Sequence, residues 1–156
     1  MNTSPALQPG ADSSEATAPT DLNDLVGYAL RRVQMKVFQH LVECLTPYDL
    51  RPAQFSALAI IAQNPGPTQA ELAKALNIEP PQVVPLLNKL ESRALAVRVR
   101  CKPDKRSYGI FLSKTGETLL KELNQIAAQS DLDATAALDN QEREELLRLL
   151  KKIYQE

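Results

Sequence analysis

The sequence predicts a mainly α-helical fold with one small β-hairpin, an α+β arrangement, and three observations predict it. Apolar residues recur at three- and four-residue spacing along most of the 156-residue chain, the period of helices with one buried face. Between Leu95 and Leu112 that period gives way to alternation, with Val97, Val99 and Cys101 interleaved with Arg98, Arg100 and Lys102. Two short helical segments joined by a tight connection stand directly before this alternating stretch.

Residues 1–20, rich in Pro, Ser, Ala and Thr without an apolar period, read as a disordered tail. A long helix is expected from Asp21, its N-cap, with Leu22, Leu25, Val26, Ala29, Leu30, Val33, Val37, Leu41 and Leu45 on one stripe until Pro47 ends it. That stripe runs about six turns, longer than a compact domain needs, so part of it is expected to face another subunit. Pro52 suits the first position of a second helix carrying Phe55, Leu58, Ile60 and Ile61, which Asn64-Pro65-Gly66-Pro67 stops. Thr68-Gln69-Ala70-Glu71 has the capping-box spacing and opens a short helix to Leu76. After Asn77-Ile78-Glu79, a further helix starts at Pro80 or Pro81 and carries Val83, Leu86, Leu87 and Leu90 to about Arg93. Two strands follow, with Val97, Val99 and Cys101 expected on the buried face. The turn Lys102-Pro103-Asp104-Lys105-Arg106 at the tip holds three cations and one carboxylate. Leu119, Leu120, Leu123, Ile126 and Ala127 mark a long helix after Gly116, and Asp139-Asn140-Gln141-Glu142 caps a terminal helix. That terminal helix, with Leu146, Leu147, Leu149, Leu150 and Ile153, has more leucine than one neighbour can cover. The order is that of a winged helix-turn-helix between N- and C-terminal dimerisation helices. The winged helix spans about 50–112, the flanking helices about 21–46 and 114–156, and residues 21–156 form a single domain.

Bulk composition narrows the class. The content is 44% apolar and 4% aromatic with no Trp, which suits a folded core of Leu, Val, Ile and Ala. A net charge of −1 conceals a basic middle. Residues 51–106 carry nine cations against four anions, while three against six precede them and six against nine follow. Cys44 and Cys101 have no metal-ligand spacing and suit a reducing, cytoplasmic compartment. No run approaches the roughly 18 apolar residues of a membrane span, and no secretory signal is expected. One His and no Gly-rich phosphate loop leave no catalytic constellation, so neither enzyme activity nor a metal or other cofactor is expected.

Five segments in order resemble the MarR family of winged-helix transcriptional regulators. They are Gln54-Phe55 with Leu58, Thr68-Gln69-Ala70-Glu71-Leu72-Ala73, Leu86-Leu87-Asn88-Lys89-Leu90-Glu91, Asp104-Lys105-Arg106-Ser107, and Leu112-Ser113-Lys114-Thr115-Gly116. The resemblance covers roughly Asp21 to the C-terminus. It implies a homodimer that binds a pseudo-palindromic double-stranded operator, represses, and is released by a small anionic or aromatic effector. Relatives that control aromatic-acid catabolism, sensing the acid or its coenzyme A thioester, are similar around Pro80 and Pro81. Four positions depart from the family pattern. Ala94 replaces the usual Gly after the recognition helix, where Ala tolerates positive φ poorly. Arg51 replaces the usual capping Thr, and Val84 and Pro85 stand where relatives often place polar or basic residues.

On the recognition helix the apolar face is core, and the opposite face offers Gln82, Pro85 and Lys89, with Pro81, Val84 and Asn88 at its margins. Gln and Asn can pair with adenine through two hydrogen bonds, and Val or Pro can pack on a thymine methyl. Pro85 either kinks this helix or keeps its first turn short. Thr68 and Gln69 complete the helical part of the candidate DNA-contacting set. In the wing, Arg106 is expected in a minor groove, oriented by Asp104. Arg98, Arg100, Lys102 and Lys105 are expected on phosphates. A dimer would set two recognition helices about 34 Å apart, one turn of B-DNA. Candidate effector-binding residues are Arg31, Arg32, His40, Tyr48 and Arg51, where the first and fifth helices meet the winged-helix lobe. Two other readings stand beside this one. A winged helix can serve protein contact alone, without DNA. Cys44 can be a redox-sensing thiol, although its place near a helix C-terminus disfavours a thiolate and suits a buried, inert residue. Cys101 reads the same way.

Overall fold

The computed structural model describes residues 21–100 and 108–155. The 1–20 tail, Cys101 and the wing-tip residues Lys102, Asp104, Lys105 and Arg106 lie outside the described residues. Backbone packing divides the chain between Val33 and Gln34 into two units.

In the first unit Asp21 does not cap the long helix. Its carboxylate accepts from the Asn23 amide at 2.9 Å and closes a 3-10 turn over Leu22–Asp24, after which Leu25 is extended (φ −86°, ψ 121°). Helix α1 therefore begins at Val26, four residues later than expected, and runs to Leu45. The correction has a local cause, because a short acidic side chain that satisfies the amide two residues on favours a turn over a helix start. Leu22, Leu25, Val26, Leu30 and Val33 are exposed.

The second unit holds the rest of α1, a 3-10 turn at Thr46–Tyr48, then α2 (Pro52–Gln63), α3 (Gln69–Leu76), α4 (Pro80–Ser92), β1 (Ala96–Arg100), β2 (Tyr108–Leu112), α5 (Lys114–Ala134) and α6 (Asn140–Tyr154). This is the mainly helical, winged helix-turn-helix architecture that the periodicity predicts. Leu45, Leu58, Ile61, Leu72, Val83, Leu87, Leu90, Ile110 and Leu123 are fully buried and form one core beneath the helix-turn-helix and the hairpin. The two strands are antiparallel, with Ala96 opposite Leu112, Arg98 opposite Ile110 and Arg100 opposite Tyr108.

The phase of β1 is the reverse of the expected one. Val97 and Val99 are 43% and 49% exposed, whereas Ala96 is buried and Arg98 half-buried on the core side. Ile110 supplies the apolar mass opposite Arg98, so β1 needs no large apolar residue there. The long Arg98 stem can then lie over the core with its charge carried out to the rim.

The Pro-Gly-Pro stop after α2 also does more than end a helix. The Gly66 amide donates to Ile110 O at 2.9 Å, and the Ile110 amide donates to Pro67 O at 3.0 Å, which adds a short third edge to β2. Gly66 sits at φ +88°, a conformation that favours glycine, and a Cβ there would lie 2.9 Å from the tip of the Phe111 ring, which would have to shift.

Candidate nucleic-acid interface

The helix-turn-helix is built from local signals. Thr68 Oγ1 accepts from the Glu71 amide at 3.2 Å and the Glu71 carboxylate accepts from the Thr68 amide at 2.8 Å, which fixes the start of α3. The Thr68 amide first, and then the Thr68 hydroxyl that donates to the same carboxylate oxygen at 3.1 Å, hold the Glu71 carboxyl below its usual range. Thr68 is thus committed to capping, and Gln69 beside it is half-buried. Asn77 adopts φ 54° and turns the chain, its amide donating to Ala73 O and Lys74 O. Asn is among the few residues that enter the left-handed region readily. Helix α4 then opens with Pro80 and Pro81 in its first turn, where a missing N–H costs nothing.

Val83, Leu86, Leu87 and Leu90 are buried, and Pro81, Gln82, Val84, Pro85 and Asn88 are exposed, the division of faces that the 3.6-residue period predicts. Pro85 neither ends α4 nor confines it to one turn, since the helix continues seven residues beyond it to Ser92. Its effect is to leave the Pro81 carbonyl without an intrahelical donor on the exposed side.

Five of the residues expected to contact bases or phosphates, Gln82, Asn88, Lys89, Arg98 and Arg100, have hydrogen-bond partners within the protein. Lys89 Nζ donates to Asp49 Oδ2 at 2.9 Å, and Arg93 Nη1 donates to Asp49 O at 2.9 Å, so the end of α4 is fastened to the α1–α2 connection. Lys89 beside it, through the hydrogen bond first and its charge second, holds the Asp49 carboxyl below its ordinary value. Arg98, expected on phosphate, is turned toward α4 in the free protein. Its Nε and Nη2 donate to the two Glu91 oxygens at 2.9 and 2.8 Å, and Nη2 also donates to Asn88 Oδ1 at 2.8 Å. The reversed strand phase explains this, because it turns Arg98 toward α4. Arg100 lies 5.5 Å over the Tyr108 ring centroid and its Nε donates to the Tyr108 hydroxyl at 2.9 Å, while remaining exposed. Gln82 is exposed, but its Oε1 accepts from the Glu79 amide at 3.0 Å. An α-helix with one exposed face is an element that a major groove of about 12 Å admits.

The effector candidates are not gathered in one cavity. Arg31 and Arg32 belong to the first unit and are exposed, with Arg32 donating to Asn23 Oδ1 at 3.4 Å. His40 Nδ1 lies 2.8 Å from Ser130 Oγ, and Cys44 Sγ lies 3.8 Å from the same nitrogen. Tyr48 donates to Glu122 Oε1 at 2.6 Å, a bond that, with partial burial, raises the phenol above its usual value. Arg51 rims a cavity of about 230 Å³ with Asp49, Gln54 and Lys89. A larger, mostly apolar cavity of about 600 Å³ lies among Phe38, Leu41, Phe55, Ile60, Leu76 and Ile78, and none of the five candidates lines it. Its walls carry the same residue types and spacing as the core, so nothing in the sequence set them apart. No described helix is long and apolar enough to cross a membrane.

Residues 48–107 match the MarR family pattern. A protein of Thauera aromatica named for transcriptional regulation of the hcr operon is 32% identical over 148 residues, covering 89% of each chain. The solved structure of a transcriptional repressor, CouR, bound to a 23-mer DNA duplex, is 39% identical with a TM-score of 0.79, covering 85% of this chain and 94% of that one. CouR bound to p-coumaroyl-CoA is 37% identical with a TM-score of 0.76, covering 90% and 99%. Identity at this level over nearly the whole length, on the same succession of helices and hairpin, places the chain in the MarR family of winged-helix transcriptional regulators.

Proposed function

We propose that this protein is a transcriptional repressor, not an enzyme, that binds a pseudo-palindromic DNA operator as a homodimer and is released by a small aromatic or anionic effector. The effector class is an aromatic acid or its coenzyme A thioester. The observation that carries the DNA half is the division of α4, whose core face is filled while Pro81, Gln82, Val84, Pro85 and Asn88 are exposed on the other side. The likeness to the DNA-bound repressor CouR supports the same reading. The dimer half rests on α6, which has no buried residue although Leu147, Leu149 and Ile153 project from it. The effector half rests on the likeness to CouR with p-coumaroyl-CoA and on the apolar cavity of about 600 Å³, whose size suits an aromatic group. A ligand releases DNA only if it binds more tightly to a lobe spacing that the operator does not fit.

Fluorescence anisotropy with labelled duplex tests the first half. Micromolar or tighter binding at low salt is expected, weakening steeply with salt if about six to ten phosphates are contacted across the dimer. No binding at micromolar protein, or a flat salt dependence, would overturn it and favour a protein-contact role. Thermal shift against aromatic acids and their thioesters tests the second half, with stabilisation by one member expected and uniform absence of stabilisation counting against it.

A further inference from the structure

The two carboxamides on the exposed face of α4 are both oriented before any ligand arrives. Asn88 Oδ1 accepts from Arg98 Nη2 at 2.8 Å, and Gln82 Oε1 accepts from the Glu79 amide at 3.0 Å. Arg98 is itself held in place, since its guanidinium forms two parallel bonds to the Glu91 carboxylate at 2.9 and 2.8 Å. Such forked pairs fix geometry more firmly than a single contact. The Asn88 oxygen is therefore bound on its protein side and faces a fixed positive charge, while its Nδ2 group keeps two N–H donors that bond to none of the described residues.

Resting on the DNA-binding reading above, we propose that Arg98 is a positioning residue that locks Asn88 as a hydrogen-bond donor, so that α4 selects base edges rich in acceptors. Adenine is read by Asn through one donor and one acceptor, N7 receiving and N6 giving. With one of the two Oδ1 lone pairs taken by Arg98 and the guanidinium fixed beside it, an incoming amino group meets a like partial charge at the remaining acceptor site. Guanine, with N7 and O6, and thymine, with O4, present acceptors alone and fit Nδ2. Gln82 repeats the orientation about 1.7 turns earlier through its bond to the Glu79 amide. Val84 and Pro85 lie between the two amides in sequence and are exposed, and they offer apolar contact to a thymine methyl. The face as a whole discriminates against cytosine and adenine amino groups.

The test is selection of binding sites from a randomised duplex pool by the full-length protein and three variants, followed by affinity measurement on the winners. Asn88→Ala identifies the half-site position that Asn88 reads, as the one position where preference collapses. The wild type is expected to favour guanine or thymine there. Arg98→Met keeps the aliphatic stem and removes the guanidinium. It is expected to move the preference at that one position toward adenine, by about tenfold relative to wild type. Glu91→Ala, which frees Arg98 but leaves its charge, is expected to shift the same position part of the way. A general loss of phosphate affinity would lower all sequences together and leave the preference unchanged, so base choice at one position separates the two roles.

An unchanged preference in Arg98→Met, or a wild-type preference for adenine, would overturn the proposal while leaving DNA binding intact. So would an Asn88→Ala variant with an unaltered site. Failure of the wild type to enrich any duplex would instead remove the DNA-binding reading, and this proposal with it. Side-chain amide resonances of Asn88 in the free protein give a readout independent of DNA and of folding defects. They should move in Arg98→Met while the backbone amides of the α4 core face stay in place, and an unmoved Asn88 side chain would overturn the lock.

Discussion

The junction between α4, the hairpin and α5 differs from α6 in where its order comes from. At the junction the chain is fastened to itself by contacts across sequence. The Leu95 amide donates to Leu90 O and the Ala94 amide to Glu91 O, both at 2.9 Å, closing α4 with a Schellman motif. The Ser113 amide donates to Leu95 O at 3.1 Å, Ser113 Oγ donates to Ala94 O, and the same oxygen accepts from the Gly116 amide at 2.9 Å to cap α5. Helix α6 has a complete local cap, with the Asp139 carboxylate accepting from the Glu142 amide and Glu142 from the Asp139 amide, each at 2.9 Å. It buries no side chain. Local hydrogen bonding can specify that a helix forms, but only burial stabilises a helix in water, and α6 obtains little of that within its own chain.

The harshest way to break the junction is to add one methyl group. A Cβ on Gly116 would lie 2.0 Å from Leu95 O and 3.0 Å from Leu95 C, both backbone atoms that cannot swing aside. Gly116→Ala is expected to destabilise the subunit by about 3 kcal/mol or more, because α5 must part from the end of α4. Urea unfolding followed by circular dichroism measures this, and a loss below about 1 kcal/mol would mean that the close approach yields easily. The same substitution at Gly27, where a Cβ meets nothing within 4 Å, serves as the control and should be neutral or better.

In α6 the expected damage falls on association. Leu149 and Ile153 are 44% and 59% exposed, and each apolar side chain of this size contributes about 1.5–3 kcal/mol when fully covered. The pair Leu149→Glu and Ile153→Glu should weaken self-association on the order of 100-fold, read by sedimentation equilibrium. The diluted wild type should melt at a lower temperature than the concentrated protein, and the variant should lose that dependence. A variant that remains as tightly associated as the wild type would remove α6 from the interface.

The two regions were unequally legible in the sequence. The capping boxes at Thr68 and Asp139 were readable because their partners are three residues apart, and the apolar periods located α2, α3 and α4 nearly to the residue but showed α5 and α6 without their C-terminal ends. The core and solvent faces of α4 followed from the same period. Alternation in β1 gave a strand but not its phase, since a one-residue slip exchanges every side chain between faces. What set the phase was Ile110 on the other strand and Glu91 on α4, neither of which is local to Val97. The pairing of Gly66 and Pro67 with β2 was hidden because Pro-Gly-Pro reads as a stop. The contacts of Asn88, Lys89 and Arg98 depend on residues up to 40 positions away, so the residue types pointed to an exposed polar face while its wiring stayed invisible.

A smaller change should strengthen the junction. Ala94 holds φ 53° at the position after α4 where the motif favours glycine. An alanine there costs about 1–2 kcal/mol in the left-handed region, partly offset by the greater freedom that glycine brings to the unfolded chain. Ala94→Gly is therefore expected to stabilise by about 0.5–1 kcal/mol. Differential scanning calorimetry should show a rise of about 2–4 °C in Tm, and a fall would mean that the methyl group contributes more in packing than it costs in strain.

The smallest expected effect compares one chemistry in both regions. Arg98–Glu91 at the junction and Arg148–Glu145 on α6 are forked pairs of nearly equal length, 2.8 and 2.7 Å. Their surroundings differ, with side chains 24% and 30% exposed at the junction against 59% and 54% on α6. In each, the Arg hydrogen bond lowers the Glu carboxyl from its ordinary 4.5. A lowered carboxyl contributes stability that is fully present above that ordinary value and is lost as pH falls through its lower folded value. The stability gap between wild type and Glu91→Gln should thus be flat from pH 7 to about pH 5, then close as the solution is acidified below the ordinary carboxylate range. Its plateau is expected at about 0.5–1 kcal/mol, at the upper end for pairs that solvent still reaches. Glu145→Gln should give a smaller gap that vanishes in 0.5 M salt, since an exposed pair is screened much more strongly than a partly buried one. Equal gaps with equal salt sensitivity would mean that covering the Arg98 fork adds nothing to its hold on α4.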